Sequence, residues 1–223
     1  MANQDDSFIR EVNDELRSDQ MRAVWRRFGR ILIGCAVLIV LATIGKVAYD
    51  YWSEAEASAS GDKFLAALTL AKEDKNEEAL AALGELEKDG HGAYPVLARM
   101  RAASLMAETD NVEGAVSAFL AISKDGSVPQ ALRDAARLRA AFLLIDTGSY
   151  EQVAAEVEQL ATPQNALRHS AREVLGLSAY KQGDFARAKE WFEAIAADQQ
   201  SPRNLANRAQ MLLDLIAASG KLS

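Results

Sequence analysis

A run of fifteen residues without a charged side chain, ILIGCAVLIVLATIG at positions 31–45, is the strongest constraint on this 223-residue chain. Extended to positions 29–49, it reaches the ~20 residues that cross the hydrocarbon core of a bilayer. Between Ile31 and Tyr49 the one charged residue is Lys46, whose long stem can carry its ammonium to the lipid headgroups. Aromatic residues border both ends, namely Trp25, Phe28, Tyr49, Tyr51 and Trp52. We therefore predict a transmembrane helix over residues 29–49.

Two other interpretations of the run agree less well with its surroundings. A cleaved signal peptide is disfavoured because thirty residues of polar chain precede the run and no small-x-small cleavage site follows before YDYW. A buried core helix seldom runs this long without a polar face. We expect the helix to be retained as a signal-anchor.

The charges that flank the run predict its orientation. Residues 17–30, just before it, hold five arginines and one acid, Asp19, and the arginines are Arg17, Arg22, Arg26, Arg27 and Arg30. After it, Asp50, Glu54 and Glu56 precede the first lysine, Lys63. Because basic flanks stay in the cytoplasm, we expect a single-pass type II protein whose C-terminal domain crosses to the other side of the membrane.

The net charge of −7 belongs entirely to that C-terminal domain. Residues 53–223 hold 18 basic and 25 acidic residues, whereas residues 1–52 are balanced. An acidic surface cannot displace counterions from phosphate, so no nucleic-acid partner is expected. The single cysteine, Cys35, lies in the apolar run, which leaves the domain without thiols.

The segments on either side of the predicted span are less clearly defined. Residues 1–28 read as a cytoplasmic amphipathic tail in which Phe8, Val12 and Leu16 recur every four residues beside Ile9. This apolar stripe could dock on a partner or lie against lipid. Residues 50–60 form a juxtamembrane helix or linker.

Residues 61–223 contain four copies of a helical pattern, which indicates an all-α repeat domain. One apolar column is followed four positions later by a second, and the copies are 36, 38 and 35 residues apart. The pairs are Ala79 and Leu83, Ala115 and Phe119, Val153 and Val157, and Ala188 and Phe192. A third column, three residues on, holds Leu86, Ile122, Leu160 and Ile195, and an upstream small column holds Ala67, Ala103, Ala141 and Gly176.

The fourth copy carries the tetratricopeptide pattern most clearly. Leu175 and Gly176 are followed by Gly183, Phe185, Ala188 and Phe192 at that family's spacing. Equivalent turns are predicted at Asp74, Asp110, Gly148 and Gly183. Pro129 and Pro202 fall at matching positions after the second helix, and residues 204–219 are expected to form a capping helix. The predicted fold is an α-solenoid of about four degenerate helical hairpins.

Chemistry-bearing residues do not converge in this sequence. His91 and His169 have no neighbouring metal ligand in sequence and are interpreted as exposed turn or cap histidines. No phosphate-binding loop, dinucleotide fingerprint or nucleophile elbow occurs, so we predict no enzyme, no cofactor and no metal site. A recurring cation at Lys63, Arg99, Arg137 and Arg172 favours ion pairs between repeats over a ladder for an acidic peptide.

The first helices of the hairpins offer a candidate partner-binding groove. Its apolar members are Phe64, Leu68, Met100, Leu138, Phe142, Leu177 and Tyr180. Ser104 and Glu173 stand at further positions of the same face. In solenoids such positions line a concave face that binds peptides or amphipathic helices. The alternative is that these side chains are core, covered by the capping helix or by dimerisation into a homo-oligomer.

The whole chain resembles one bacterial family. The cytoplasmic helix DSFIREVNDELR, the segment WRRFGR, a single span and four degenerate repeats together are similar to the YfgM-type tetratricopeptide-like ancillary subunits of the SecYEG translocon. This resemblance implies a periplasmic protein-binding scaffold beside the translocon that works with a periplasmic chaperone as secretory chains emerge during protein secretion. It implies no catalytic residues.

Two hypotheses from other classes stay open. One is an envelope-assembly or cell-division scaffold with the same topology and a different partner. The other is an enzyme or small-molecule sensor, which a polar pocket around Arg99, Arg137 or Arg172 would support.

Overall fold

The computed structural model describes the backbone of residues 2–220 and the side chains of residues 25–220. Within that range the chain forms nine α-helices, one 3-10 turn at Glu158–Leu160 and no strand. The helices are α1 Ala2–Lys72, α2 Asn76–Asp89, α3 Tyr94–Glu108, α4 Val112–Lys124, α5 Gln130–Thr147, α6 Tyr150–Val157, α7 Arg168–Lys181, α8 Phe185–Ala196 and α9 Arg203–Ala218. The predicted all-α class is confirmed.

The chain divides into two compact units, residues 1–55 and 56–223. In the first unit α1 carries the apolar run, and every residue from 30 to 52 is exposed. Leu38, for example, keeps 69% of its surface exposed. This helix is long and apolar enough to cross a membrane. The predicted stripe of Phe8, Val12 and Leu16 lies outside the described side chains.

The second unit is built from helical hairpins whose repeat columns form its core. The C-terminal end of α1 pairs with α2, and the following hairpins are α3–α4, α5–α6 and α7–α8. All eight residues of the two paired columns are at most 1% exposed: Ala79, Leu83, Ala115, Phe119, Val153, Val157, Ala188 and Phe192. The sequence columns therefore identify the buried face of each second helix.

The turns within the hairpins are of two kinds. Asp74, Asp110 and Gly183 adopt left-handed φ angles of 61°, 60° and 81°, which aspartate and glycine tolerate better than most residues. In each of these turns the next amide donates to the carbonyl five residues earlier, which closes the preceding helix. The predicted turn at Gly148 is instead extended, and a capping box between Ser149 and Gln152 starts α6.

The segments between hairpins follow the predicted proline positions. Pro129 and Pro202 are the N-cap residues of α5 and α9, both with φ near −55° and ψ near 138°. The predicted terminal helix is confirmed as α9, and Gly220 follows it with φ 63°.

Gly176 lies where α7 and α8 approach each other closely. A Cβ atom at this position would lie 2.7 Å from Cε1 of Phe192, whose ring is fully buried. The sequence predicted a small residue here because helices α7 and α8 must approach each other closely. In the structure the ring of Phe192 is the group that faces this position.

Gly176→Ala should therefore lower the free energy of unfolding by about 1–3 kcal/mol, because a held aromatic ring must shift. The matched control is Gly84→Ala in α2, where a Cβ would meet nothing within 4 Å. That change should raise stability by about 0.5–1 kcal/mol through helix propensity. Urea unfolding of the full chain, followed by circular dichroism, measures both. Equal effects of the two substitutions would contradict the packing described for α7 and α8.

Candidate functional site

The seven predicted groove residues lie on the first helices of the hairpins and all keep part of their surface exposed. They are Phe64 and Leu68 on α1, Met100 on α3, Leu138 and Phe142 on α5, and Leu177 and Tyr180 on α7. Phe142 is the most accessible, with 39% of its surface exposed. The first helices therefore present apolar surface to solvent in every hairpin.

Some of these side chains pack against other residues of the same unit. The Phe64 ring lies 6.0 Å from that of Tyr94, and the Tyr180 ring lies 5.3 Å from that of Phe185 in an edge-to-face arrangement. Leu177 packs beside Tyr180 against the buried cluster of α8 and α9. These residues contribute to packing as well as to surface.

The structure brings two of the seven together in one pocket of about 510 Å³ between α3 and α5. We call it the Ser104 pocket, and its principal lining residues are Ser104, Ala107, Glu108, Leu138, Arg139 and Phe142. Phe119 of α4 forms part of its wall, and Leu167 lines it from the segment before α7. This volume lies within the range of about 300–1,000 Å³ typical of ligand pockets.

The pocket exists because one position in the repeat holds a small residue. The column that follows the upstream small residue contains Leu68, Ser104, Phe142 and Leu177 in the four hairpins. Only the second hairpin has a small side chain there, and Ser104 Oγ donates to the Met100 carbonyl of its own helix at 3.1 Å. The hydroxyl is thus satisfied locally, and the space beside it is left to the pocket.

The sequence favoured ion pairs between repeats, but the recurring arginines pair mainly within their own hairpin or with the loop that follows it. One contact does join two repeats, since Arg99 Nε lies 3.6 Å from Glu87 Oε1 of α2. Arg99 Nη1 lies 2.6 Å from Asp125 Oδ2, and Arg172 Nη1 lies 3.5 Å from Asp198 Oδ2. Arg137 pairs more loosely with Glu156, its Nε lying 3.9 Å from Oε2. Each of the three arginines therefore has a carboxylate partner.

Asp125 and Asp198 anchor the loops that follow α4 and α8. Each stands 26 residues after its arginine and four residues before a proline, so the same clamp occurs in the second and fourth hairpins. The sequence reasoning missed both carboxylates. The equal Arg-to-Asp spacing, together with the shared proline, is the signal that could have identified them.

Hydrogen bonds to these carboxylates lower their pKa values. The Ser127 hydroxyl and then Arg99 lower the pKa of Asp125 from 3.8 to about 2. The backbone amide of Gln200, followed by His169 and Arg168, holds the pKa of Asp198 well below its ordinary value. Both groups are therefore ionised at neutral pH.

The structure corrects the interpretation of His169 as an exposed cap residue. Its side chain is 7% exposed, and its Nε2 lies 2.8 Å from Asp198 Oδ2. Arg168 Nε approaches the same oxygen at 3.1 Å. His169 thus fastens α7 to the loop before α9. Within the part of the chain that the structure describes, no group of three potential metal ligands occurs.

Glu173 shows a further contact that sequence reasoning missed. It lies on α7 beside the groove positions, is 6% exposed, and accepts two hydrogen bonds from Arg208 of α9 at 2.7 and 3.0 Å. This pairing raises the pKa of the Arg208 guanidinium. The glutamate therefore holds the terminal helix in place.

The hairpins, their buried columns and the closing helix define a helical-repeat protein of the kind that binds other proteins. Residues 22–218 match the sequence model of the tetratricopeptide repeat-like domain. Since the match covers most of the chain, the protein belongs to this family. Repeat domains of this kind are typically non-catalytic scaffolds for protein interaction. No curated protein and no solved structure shows a significant match to the chain.

Replacing Asp198 with Asn should lower the midpoint of thermal unfolding at pH 7 by several degrees. The reason is that Arg168, His169 and Arg172 share the Asp198 carboxylate and would lose its negative charge. A carboxylate with a depressed pKa stabilises the fold fully above its ordinary value of 3.8, and that contribution is lost as the pH falls through its folded value. The difference between wild type and variant should therefore shrink as the pH falls from about 4 toward 2.

The matched control is Asp214→Asn on α9, since Asp214 accepts a hydrogen bond from Gln210 one turn away. It should leave the midpoint nearly unchanged. A constant difference between Asp198→Asn and wild type across this pH range would contradict the clamp. Thermal unfolding of the full chain by circular dichroism provides the measurement.

Proposed function

We propose that this chain is a non-catalytic adaptor anchored in a bacterial inner membrane, with its repeat domain in the periplasm. In this proposal residues 1–28 form a cytoplasmic tail and residues 29–49 cross the membrane. Residues 50–60 link the membrane span to the interaction domain, which is formed by residues 61–223. The exposed apolar residues from 30 to 52 support the span. The arginines before it and the acids after it support the orientation.

The observation that carries the adaptor role is the apolar surface on the first helices of a tetratricopeptide-like domain. In the Ser104 pocket, Leu138 and Phe142 remain accessible although the core beneath them is complete. Apolar side chains that a domain leaves exposed together mark surfaces for protein interaction. An apolar surface of this kind suits a secretory polypeptide or an amphipathic helix of a partner.

The partners we propose are the SecYEG translocon, a periplasmic chaperone and the secretory chains that emerge between them. The resemblance of the whole architecture to translocon ancillary subunits supports this choice. The type II orientation agrees with it, because it places the repeat domain on the side of the membrane where secretory chains emerge. No reaction is assigned to the chain.

Site-specific photo-crosslinking in living cells tests the proposal. A photoreactive amino acid in place of Phe142 should capture a secretory polypeptide or a periplasmic chaperone, and mild solubilisation should recover translocon subunits with the complex. The matched control is the same group in place of Ser117, an exposed residue of α4 away from the pocket, where capture should be much weaker.

The other outcomes contradict specific parts of the proposal. Capture of cytoplasmic proteins from Phe142 would overturn the orientation. Capture of a second copy alone would make the surface a dimer interface. Capture of cell-division or envelope-assembly proteins without the translocon would favour a scaffold with a different partner.

A further inference from the structure

Of the two charged residues that line the Ser104 pocket, Glu108 has an ion-pair partner and Arg139 has none within residues 25–220. Glu108 is held by Arg101 in a two-pronged ion pair, with nitrogen–oxygen distances of 2.8 and 3.1 Å. Arg139, on the α5 side, is exposed and lines the same pocket. Among the side chains that the structure describes, Arg139 has no carboxylate within ion-pair distance. The pocket thus combines apolar walls with one cation that lacks an acidic partner.

The apolar part of the pocket has room for a side chain that the other hairpins supply themselves. Leu68, Phe142 and Leu177 occupy the column in which the second hairpin has Ser104. Ala107, one turn further along α3, is also small and also lines the pocket. Leu or Phe is therefore the size of group that this repeat position accepts elsewhere in the chain.

We propose that the Ser104 pocket receives one large apolar side chain of a partner polypeptide, while Arg139 pairs with a carboxylate close to that side chain in the partner's sequence. This inference rests on the proposed function, because it names the kind of segment that the adaptor binds. The partner chemistry is a leucine-sized or phenylalanine-sized residue flanked by Asp or Glu.

The positive charge of Arg139 is opposite in sign to the net charge of the domain. Residues 53–223 carry seven more acidic than basic residues, so long-range attraction favours a basic segment. Salt screens such attraction beyond about 8 Å at physiological ionic strength, whereas a direct contact at the pocket is screened less. A preference for acidic flanks would therefore report the local contact with Arg139 rather than the net charge.

Fluorescence anisotropy with synthetic peptides tests the inference on the full chain in phosphatidylcholine nanodiscs. The probe is a short alanine-based helical peptide with one Leu and a Glu one turn to either side. Two comparison peptides replace Glu with Lys, or the central Leu with Ala. The Glu-flanked Leu peptide should bind saturably and more tightly than both, and empty nanodiscs provide the background.

Two substitutions of Ser104 distinguish the effect of filling the pocket from the effect of removing the hydroxyl. Ser104→Leu introduces the residue found in two other hairpins and should weaken binding of the Glu-flanked peptide about tenfold or more. Ser104→Ala keeps the space open and should bind as wild type does. Ser117→Leu adds the same side chain on exposed α4 and should leave binding unchanged. Thermal unfolding checks that each variant is folded.

The Arg139→Glu variant should reverse the preference, so that the Lys-flanked peptide binds better than the Glu-flanked one. Unchanged binding in Ser104→Leu, equal binding of the Glu-flanked and Lys-flanked peptides, or no saturable binding at all would overturn the inference. In-cell capture from Phe142 would still support the proposed function in those cases. Conversely, selective peptide binding without capture in cells would count against the proposed partners alone.

Discussion

The packing of a small residue against a large apolar one holds the repeat unit together. In each hairpin a column of alanine or valine lets the second helix approach the first, and an apolar residue one turn later is buried between them. Gly176 and Phe192 show such a close approach, since even a methyl group at Gly176 would collide with the buried ring. The groove residues of the first helices pack only partly against this core, and their identities differ between hairpins.

Adjacent hairpins share buried apolar clusters, and polar contacts fix the loops that join them. The carboxylates of Asp125 and Asp198 tie loops to the first helices, and Glu173 holds α9 through Arg208. Ion pairs of this partly exposed kind contribute modestly one by one, but they fix the position of the loops. No cysteine lies in residues 56–223, so the unit uses charge where a small secreted domain uses disulfides.

Periodicity made the fold predictable. The spacing of Ala79, Ala115, Val153 and Ala188 identified every second helix. Pro129 marked the start of the third hairpin, and Pro202 marked the start of the terminal helix. The site was less predictable, because a pocket depends on what neighbouring helices leave empty. Ser104, Leu138 and Phe142 were all placed on the groove face, but the space beside Ser104 follows only when its column is compared across all four hairpins. His169 was misread because its partner, Asp198, lies 29 residues away in sequence.

The gap at Ser104, between α3 and α5, is where we place partner binding by the repeat domain. Photo-crosslinking from Phe142 in living cells, repeated in chains that carry Ser104→Leu or Ser104→Ala, measures whether binding depends on this gap. We expect capture of the partner to fall about tenfold with leucine and to stay at the wild-type level with alanine. Equal capture in both variants would contradict it, because partner binding would then not depend on the space beside Ser104.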